Sequence, residues 1–173
     1  MKKGTFFYMH DDVHIKNLET AEVGNHVAID KGFYCTTKLL VGDYVHIAPY
    51  VIVIGGNTAS LTMKHFSGMA AGCRVICASD NYSSGMMMNP QVPAKYRDVI
   101  NEPVVFEPFS CTGVNSVIMP GVTLSEGSVI GANSLVTKTT EPWTVYVGSP
   151  ARPIKIRKKE KIIESARELG YSF

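Results

Sequence analysis

The chain has 173 residues, 45% of them hydrophobic and 18% charged, a composition that excludes a disordered or collagen-like protein and fits a single globular domain. Its net charge of +2 is too small to indicate a nucleic-acid partner. No apolar run approaches the roughly 18 residues of a membrane span, and the N-terminus lacks the apolar core of a signal peptide, so a cytoplasmic location is the default expectation.

The N-terminal part of the chain joins an aperiodic segment to a run of period six. Residues 1–22 show no repeat and are predicted to form an N-terminal cap. A small or aliphatic residue then recurs at every sixth position: Val23, Ile29, Cys35, Val41, Ile47 and Val53. A helix requires apolar spacings of three and four, and a simple strand requires alternation, so neither explains this period. A hexapeptide repeat is typical of a parallel β-helix, in which neighbouring coils stack.

The period also predicts which residues lie above one another. Three repeats of six residues make a coil of about 18 residues. Val23, Val41 and Ala59 should therefore form one stack, and Phe106 should stack on Leu124. The interior of such a fold is a set of these apolar columns.

Two segments interrupt the repeat. Ten residues rather than six separate Val53 from Met63, which predicts a small bulged turn at the sequence GGNTAS. A longer departure precedes Phe106, and we predict that residues 78–103 project from the coils as a loop. A segment of this length in a compact domain is commonly functional. Its three consecutive methionines, Met86–Met88, would alternatively fill a subunit interface.

The C-terminal part returns to the repeat and then leaves it. The register continues through Phe106, Thr112, Ile118, Leu124, Ile130 and Val136, so residues 23–147 are predicted to form the coils. Residues 148–173 are predicted to form an exit strand and a short amphipathic helix that caps one end of the stack. All of these segments together are expected to make one domain, residues 1–173.

The four cysteines do not indicate a metal site. Cys73 and Cys77 lack the CxxC spacing of common zinc sites, and no second pair completes a ligand set. Together with Cys35 and Cys111, they are predicted to be reduced thiols that act as small core residues.

The segment NSVIMPGVTLSEGSVIGANSLVTKTTEPWTVYVGSPARPIK resembles the last coils and exit strand of the maltose, galactoside and related sugar acetyltransferases. The chain is thereby identified as a member of the hexapeptide-repeat acyltransferases of the left-handed β-helix type, with a resemblance that extends from about residue 23 to residue 157. The resemblance implies a homotrimer, and from the residues themselves we expect no metal cofactor. The resemblance places acetyl-CoA, the acyl donor, in a groove between subunits and the acceptor near the projecting loop.

The resemblance also implies a set of donor contacts. Backbone groups along a regular coil would bracket the amides of the pantetheine arm, and basic side chains would meet the phosphates. The matching positions here are Gly113, Ala132, Thr137, Lys138, Arg152 and Lys155. The basic run from Arg157 onward is equally well explained as a solvated helix face.

Acyl transfer needs an acceptor that gives up a proton, and histidine is the commonest base at neutral pH. Among the five histidines, His46 is the best candidate because it directly precedes the core-pointing Ile47 in a coil that faces the groove in similar proteins. In the maltose and galactoside enzymes the catalytic histidine falls where this chain has Asp80, and in bacillosamine-type N-acetyltransferases the base falls at Thr37. Either His46 or Asp80 is the base, or the acceptor needs none.

An amine can attack a thioester with little assistance, whereas a sugar hydroxyl holds its proton much more tightly. This difference favours N-acetylation of a nucleotide-linked amino sugar, used for surface polysaccharide synthesis. O-acetylation of a sugar hydroxyl and a non-catalytic β-helix scaffold are the alternatives. The candidate substrate contacts are Tyr50, Asn81, Tyr82, Tyr96 and Arg97.

Overall fold

The computed structural model describes residues 1–173, which form a parallel β-helix of six complete coils and a partial seventh. Each complete coil gives one short strand to each of three sheets, which we call the first, second and third faces. The first face contains β1 (Lys2–Lys3), β4 (Glu22–Val23), β7 (Lys38–Val41), β10 (Ser60–Met63), β15 (Val104–Phe106) and β18 (Thr123–Leu124).

The other two faces repeat this arrangement. The second face contains β2 (Tyr8–Met9), β5 (Ala28–Ile29), β8 (His46–Ile47), β11 (Gly68–Met69), β16 (Cys111–Thr112), β19 (Val129–Ile130), β21 (Thr144–Val147) and β22 (Arg152–Ile156). The third face contains β3 (His14–Ile15), β6 (Tyr34–Cys35), β9 (Ile52–Ile54), β12 (Arg74–Ile76), β17 (Val117–Ile118) and β20 (Leu135–Val136). The fold predicted from the repeat is confirmed.

The hydrophobic core fills the interior of the coils. In most two-residue strands the second residue is buried and the first faces outward, because successive side chains of a strand point to opposite sides. Phe106 pairs with Leu124, as predicted, and both are fully buried. A period of six therefore combines one inward strand position with one turn on each face.

A column of stacked aromatic side chains follows the turns between the first and second faces. This aromatic ladder consists of Phe6, His26, Tyr44, Phe66, Phe109 and Trp143. All six residues have positive φ, between 53° and 63°. Such a backbone conformation is costly for bulky side chains. Stacking on the equivalent residue of the next coil contributes to stabilising it here.

The predicted N-terminal cap is wrong, because residues 1–22 contain the first coil. β1 to β3 pair in parallel with β4 to β6, and Ile15 lies over Cys35. These partners are 20 residues apart rather than 18, since a 3₁₀ helix at Leu18–Thr20 lengthens the connection. The extra residues take the first coil out of the register that begins at Val23.

The predicted stack of Val23, Val41 and Ala59 is only partly correct. Val23 pairs with Val41, but Val41 pairs with Met63. The turn between β9 and β10 adds four residues to this coil, so the stacking partner moves from position 59 to position 63. Ala59 is still buried, in the connection that precedes β10.

Residues 78–103 leave the coil stack as predicted. The base of this loop is an antiparallel pair of strands, β13 (Ala78–Asp80) and β14 (Val99–Asn101). A 3₁₀ helix at Ala94–Tyr96 lies within it. β15 then resumes the first face directly above β10, so the whole insertion projects from one corner of one coil.

The C-terminal helix does not cap the end of the stack, contrary to the prediction. α1 (Glu160–Glu168) buries Ala166 against Phe109 and Trp143, with Phe66 packed beside them. It therefore lies along the side of the coils, over the aromatic ladder. Because β22 runs antiparallel to β21, the chain returns to the corner at Trp143, whose carbonyl accepts the Arg157 N–H, before the helix begins. None of the helices has the length and the apolar character that a membrane span requires.

Candidate functional site

His46 lies on the second face with its side chain directed outward, because Ile47 takes the buried position of β8. Its neighbours in the coils on either side are the small residues Ala28 and Gly68, so the imidazole side chain is 59% exposed. Nε2 of His46 lies 2.8 Å from Oδ2 of Asp30, in the turn after β5. An exposed imidazole held by a carboxylate has the parts of a general base.

The other four histidines have different surroundings. Nδ1 of His10 and Nδ1 of His65 each accept a backbone N–H, at 3.0 and 2.9 Å. His14 stacks on a tyrosine, and His26 is part of the aromatic ladder. Only His46 has one ring nitrogen within 3 Å of a carboxylate and the other ring nitrogen without a protein partner.

Asp80 lies at the start of the projecting loop and organises it. One carboxylate oxygen accepts the Asn89 N–H at 2.8 Å, and the other lies 3.9 Å from Nη1 of Arg97. Nε of Arg97 is buried and has no hydrogen-bond partner. Leaving a buried guanidinium nitrogen without a partner costs free energy, so Arg97 is held in this position by its other contacts in the loop.

Asp80 and Arg97 line a cavity of about 620 Å³ between the loop and the third face. Its apolar wall comes from the coils and its polar wall from the loop and the bulged turn at GGNTAS. Nδ2 of Asn101 donates a hydrogen bond to Oγ1 of Thr58, which joins the loop to that turn. A volume of this size matches the clefts that hold small-molecule ligands. We call it the loop cavity.

The predicted substrate contacts are distributed unevenly around the loop cavity. Tyr82 and Arg97 line it, and Asn81 lines an adjoining cavity of about 280 Å³ while donating to Asp98 at 2.8 Å. Tyr96 is half-exposed on the loop, beneath the Lys95 amine. Tyr50 is exposed in the turn between β8 and β9, outside the loop cavity.

The predicted donor contacts lie at the C-terminal end of the stack. Thr137, Lys138 and Arg152 line a cavity of about 400 Å³ together with residues of β21 and β22, and we call this the terminal cavity. Lys155 is exposed on β22, outside the lining of that cavity. Three of the predicted contacts, including both a lysine and an arginine, therefore converge on one concave surface.

Gly113 and Ala132 lie against each other in successive coils. A Cβ at position 113 would lie 2.5 Å from the Ala132 nitrogen, so only glycine allows this approach. The Ala132 N–H donates no hydrogen bond within the chain. It is thus available to an external acceptor at the surface.

The structure does not bring His46 and Asp80 together within one chain, because His46 is on the second face and Asp80 lines the loop cavity beside the third. Both remain predictions as catalytic groups. Sequence reasoning missed Asp30, although its position carries a signal. It lies two residues beyond Ala28, which is the coil neighbour of His46. Asn57 and Asn101, which line the loop cavity, have no comparable signal in the repeat.

Cys35, Cys73 and Cys77 are free, buried thiols of the core, as predicted, but Cys111 is not a core residue, because it is the outward-facing residue of β16 and is only half-buried. Burial raises the pKa of Cys35 to about 11 and that of Cys77 to about 12. Both thiols therefore stay protonated at neutral pH and act as core residues. No group of three or more histidine, cysteine, aspartate or glutamate side chains is arranged to hold a metal ion.

Comparison with known proteins gives close relatives over most of the chain, although no protein-family model matches it. The dTDP-4-amino-4,6-dideoxy-D-glucose acyltransferase of Escherichia coli is 33% identical over 151 residues, which cover 84% of this chain and 76% of the relative. A probable macrolide acetyltransferase of Lysinibacillus sphaericus is 42% identical over 138 residues, 78% of this chain and 68% of the relative.

A solved structure extends this similarity to almost the whole chain. AntD, an N-acyltransferase from Bacillus cereus in complex with dTDP and 3-hydroxybutyryl-CoA, superimposes with a TM-score of 0.91 at 32% identity. The match covers 96% of this chain and 87% of AntD. Sequence, fold and relatives agree, and the chain belongs to the hexapeptide-repeat acyltransferases of the left-handed β-helix type.

Proposed function

We propose that the protein transfers an acetyl group from acetyl-CoA to the amino group of a nucleotide-linked amino sugar that is used for surface polysaccharide synthesis. The observation that carries this proposal is the loop cavity, a site of small-molecule size that is lined by the charged side chains of Arg97 and Asp80. Two relatives support the acceptor class, since the E. coli enzyme is named for a dTDP-linked amino sugar and AntD binds dTDP.

The chemistry of the loop cavity suits a charged sugar nucleotide. Arg97 would supply an N–H donor to a diphosphate or to another anionic group. Tyr82 is 76% exposed at the edge of the cavity and offers an aromatic face to a base or a sugar ring. Asp80 would accept from the amino group of the acceptor, which is a donor in both of its protonation states.

The terminal cavity suits the donor. Lys138 and Arg152 would meet phosphate groups of the CoA, and Thr137 adds a hydroxyl beside them. The free N–H of Ala132 would pair with a carbonyl of the pantetheine arm. AntD supports an acyl-CoA donor because it binds 3-hydroxybutyryl-CoA.

We further propose that the protein works as a homotrimer with one domain per chain, residues 1–173. His46 and Asp80 lie beside different faces of the same chain. A site built between two subunits would place the second face of one chain opposite the loop of its neighbour. Donor, acceptor and base would then meet in a groove that a single chain does not form.

In the proposed reaction, the acceptor nitrogen attacks the thioester carbonyl and the C–S bond breaks. The nitrogen loses a proton and the CoA sulfur gains one, so the products are an amide and free CoA. An amine needs less help in this step than a hydroxyl does, but its ammonium must first give up a proton to a base. His46, Asp80 or solvent would take the proton that the nitrogen releases.

O-acetylation of a sugar hydroxyl is the second candidate. The pair formed by His46 and Asp30 favours it, because a hydroxyl requires a base and this pair supplies one on an exposed face. The two candidates differ in the atom that is acylated, and they predict different responses to the loss of His46. Turnover with a hydroxyl acceptor would depend on His46 much more strongly than turnover with an amine.

A thiol-release assay tests the proposed function. The protein is incubated with acetyl-CoA or 3-hydroxybutyryl-CoA and with a panel of acceptors: dTDP-linked and UDP-linked 4-amino sugars, the same sugars without nucleotide, and dTDP-glucose. We expect CoA release with a nucleotide-linked amino sugar and none above background with dTDP-glucose. If no acceptor in the panel causes CoA release, the result would contradict the proposal and would favour a non-catalytic scaffold.

An Arg97→Ala variant links this activity to the loop cavity. We expect the KM for the nucleotide-linked acceptor to rise about tenfold or more, since a charge-assisted hydrogen bond to a phosphate is lost. An Arg167→Ala variant is the matched control, because Arg167 is exposed on α1 away from both cavities. Equal KM values in the two variants would exclude the loop cavity as the acceptor site.

A further inference from the structure

We infer that Asp30 is a positioning residue for the reaction, and that it acts by fixing the tautomer of His46 so that Nδ1 faces the acceptor. This inference rests on the proposed function, because it assumes that acyl transfer takes place on the second face.

Backbone and side-chain contacts both hold Asp30 beside His46. Asp30 directly follows β5, and its N–H donates to the carbonyl of Ile47 at 2.9 Å. Its main chain is therefore tied to the residue after His46. The Asp30 side chain is 28% exposed, and Oδ2 lies 2.8 Å from Nε2 of His46. The carboxylate thus has a fixed position relative to the imidazole.

The chemistry of the two groups selects one tautomer. An ionised carboxylate can only accept hydrogen bonds, so a contact of 2.8 Å requires the proton to be on Nε2 of His46. The neutral ring then carries its lone pair on Nδ1. This nitrogen has no partner within the chain, and the small residues Ala28 and Gly68 on either side leave room around the ring.

In the proposed reaction, His46 carries one proton from the acceptor to the CoA sulfur. Nδ1 of His46 takes the proton from the attacking nitrogen or oxygen as the new C–N or C–O bond forms and the C–S bond breaks. The imidazolium then gives this proton to the CoA sulfur, which leaves as a thiol. The Asp30 carboxylate exchanges no proton in these steps, and its negative charge stabilises the transient positive charge on the ring. It touches neither substrate, so its effect is exerted through His46.

The pair formed by His46 and Asp30 differs from the second histidine–carboxylate pair of the chain, which is formed by His65 and Asp43. Asp43 lies 3.5 Å from Nδ1 of His65, but that nitrogen already accepts the Asp43 N–H at 2.9 Å. Oδ2 of Asp43 also accepts the hydroxyl of Tyr171 at 2.6 Å. Both groups of that pair are occupied by structural hydrogen bonds, whereas Nδ1 of His46 is not.

The test combines a spectroscopic and a kinetic measurement. In protein labelled with ¹⁵N-histidine, long-range ¹H–¹⁵N spectra distinguish the two neutral tautomers, and a His46→Gln variant identifies the His46 signals. We expect the Nε2–H form in the wild type and a mixture of forms in Asp30→Ala. The Nδ1–H form in the wild type would overturn the inference.

The kinetic arm compares His46→Ala, Asp30→Ala and Asp30→Glu in the thiol-release assay. We expect kcat to fall about 10²-fold in His46→Ala and about tenfold in Asp30→Ala, while the KM for acetyl-CoA changes less than twofold. Asp30→Glu should recover part of the loss, because it restores a carboxylate. A purely structural role for Asp30 would be expected to alter KM and thermal stability together and to gain nothing from Glu.

The outcomes separate this inference from the proposed function. If the wild type releases CoA with an amino sugar and His46→Ala or Asp30→Ala turns over normally, the positioning role is wrong and the proposed function stands. If the wild type releases CoA with no acceptor, the proposed function fails. The inferred role of Asp30 then fails with it, although the NMR arm still reports whether the carboxylate fixes the tautomer.

Discussion

The hydrogen bond between Tyr171 and Asp43 predicts a measurable contribution to stability from the last residues of the chain. The Tyr171 hydroxyl donates to Oδ2 of Asp43 at 2.6 Å, and its ring packs edge-on against Tyr44 and Phe66 of the aromatic ladder. A Tyr171→Phe variant keeps the ring and removes only the hydroxyl. The effect of this substitution therefore isolates the hydrogen bond.

The magnitude follows from the position of this bond. Hydrogen bonds to charged groups contribute about 1.5–3 kcal/mol when they are well shielded. Tyr171 is only partly buried and the bond is near the surface, so we expect a loss of about 1 kcal/mol. For a domain of this size, that loss lowers Tm by about 3 °C.

The pH dependence of the effect has a definite sign. Burial raises the pKa of the Asp43 carboxyl, but hydrogen bonds from Tyr171 and Asn25 and the nearby His65 outweigh it, so the pKa lies below its usual range. A lowered pKa in the folded state contributes stability above the unfolded value near 4, and this contribution is lost as the pH falls through the folded pKa. The hydrogen bond to Asp43, with burial as a smaller cause, raises the pKa of Tyr171 to about 12. The tyrosine contribution is therefore complete below about pH 10 and is lost as the pH rises towards 12.

Thermal unfolding followed by circular dichroism tests this reasoning at pH 7 and pH 3. We expect Tyr171→Phe to unfold at a lower temperature than the wild type at pH 7, with a smaller difference at pH 3. Tyr34→Phe is the control, since Tyr34 is half-exposed and stacks on His14 without a hydrogen bond from its hydroxyl. Equal Tm values for the wild type and both variants at pH 7 would refute the reasoning.

Three further predictions concern the core, the donor site and the thiols. Leu124→Ala should lower the free energy of unfolding by about 2–5 kcal/mol in urea titrations because Leu124 is fully buried, whereas Leu169→Ala at a half-exposed position should change it much less. Lys138→Ala should raise the KM for acetyl-CoA several-fold, and Lys159→Ala should not, because only Lys138 lines the terminal cavity; equal values would remove Lys138 from the donor site. Burial raises the pKa of Cys77 to about 12, so this thiol should resist iodoacetamide at pH 8 until urea unfolds the protein. Peptide mass mapping locates the label, and rapid labelling of Cys77 in the native protein would contradict its burial.

Most of the fold could be predicted from the sequence because one physical rule repeats along the chain. An inward aliphatic residue at every sixth position is enough to define the faces, and the register of 18 residues places Phe106 over Leu124. The rule fails wherever a coil has a different length. The 3₁₀ helix at Leu18–Thr20 puts the first coil out of the sixfold register. Four extra residues in the turn between β9 and β10 put Met63, rather than Ala59, in the stack above Val41.

The direction of the C-terminal helix could not be predicted from its composition. Its apolar residues show that one side packs on the coils, but they do not distinguish the end of the stack from its side. The helix packs on the side because Phe66, Phe109 and Trp143 of the aromatic ladder form an apolar surface there, at the turns between the first and second faces. These aromatic residues occupy turn positions, where the repeat predicts glycine or asparagine.

The candidate site was only partly predictable, because the repeat places residues of the coils but gives no information about contacts within the loop. His46 follows from its position in the repeat, but Asp30 is 16 residues away and becomes its neighbour only through coil stacking. Arg97 and Asp80 belong to the loop, where no period fixes which side chains meet. Residues of the coils are therefore easier to place from sequence than residues of the insertion.

The most direct test of the central proposal is the identity of the acylated atom in the product. The protein is incubated with [1-¹³C]acetyl-CoA and a dTDP-linked 4-amino sugar prepared with ¹⁵N at the amine, and the product is examined by mass spectrometry and NMR. We predict a gain of one acetyl group and a one-bond ¹³C–¹⁵N coupling, as an amide requires. A product without this coupling that loses its acetyl group in mild alkali would be an ester, and would contradict N-acylation.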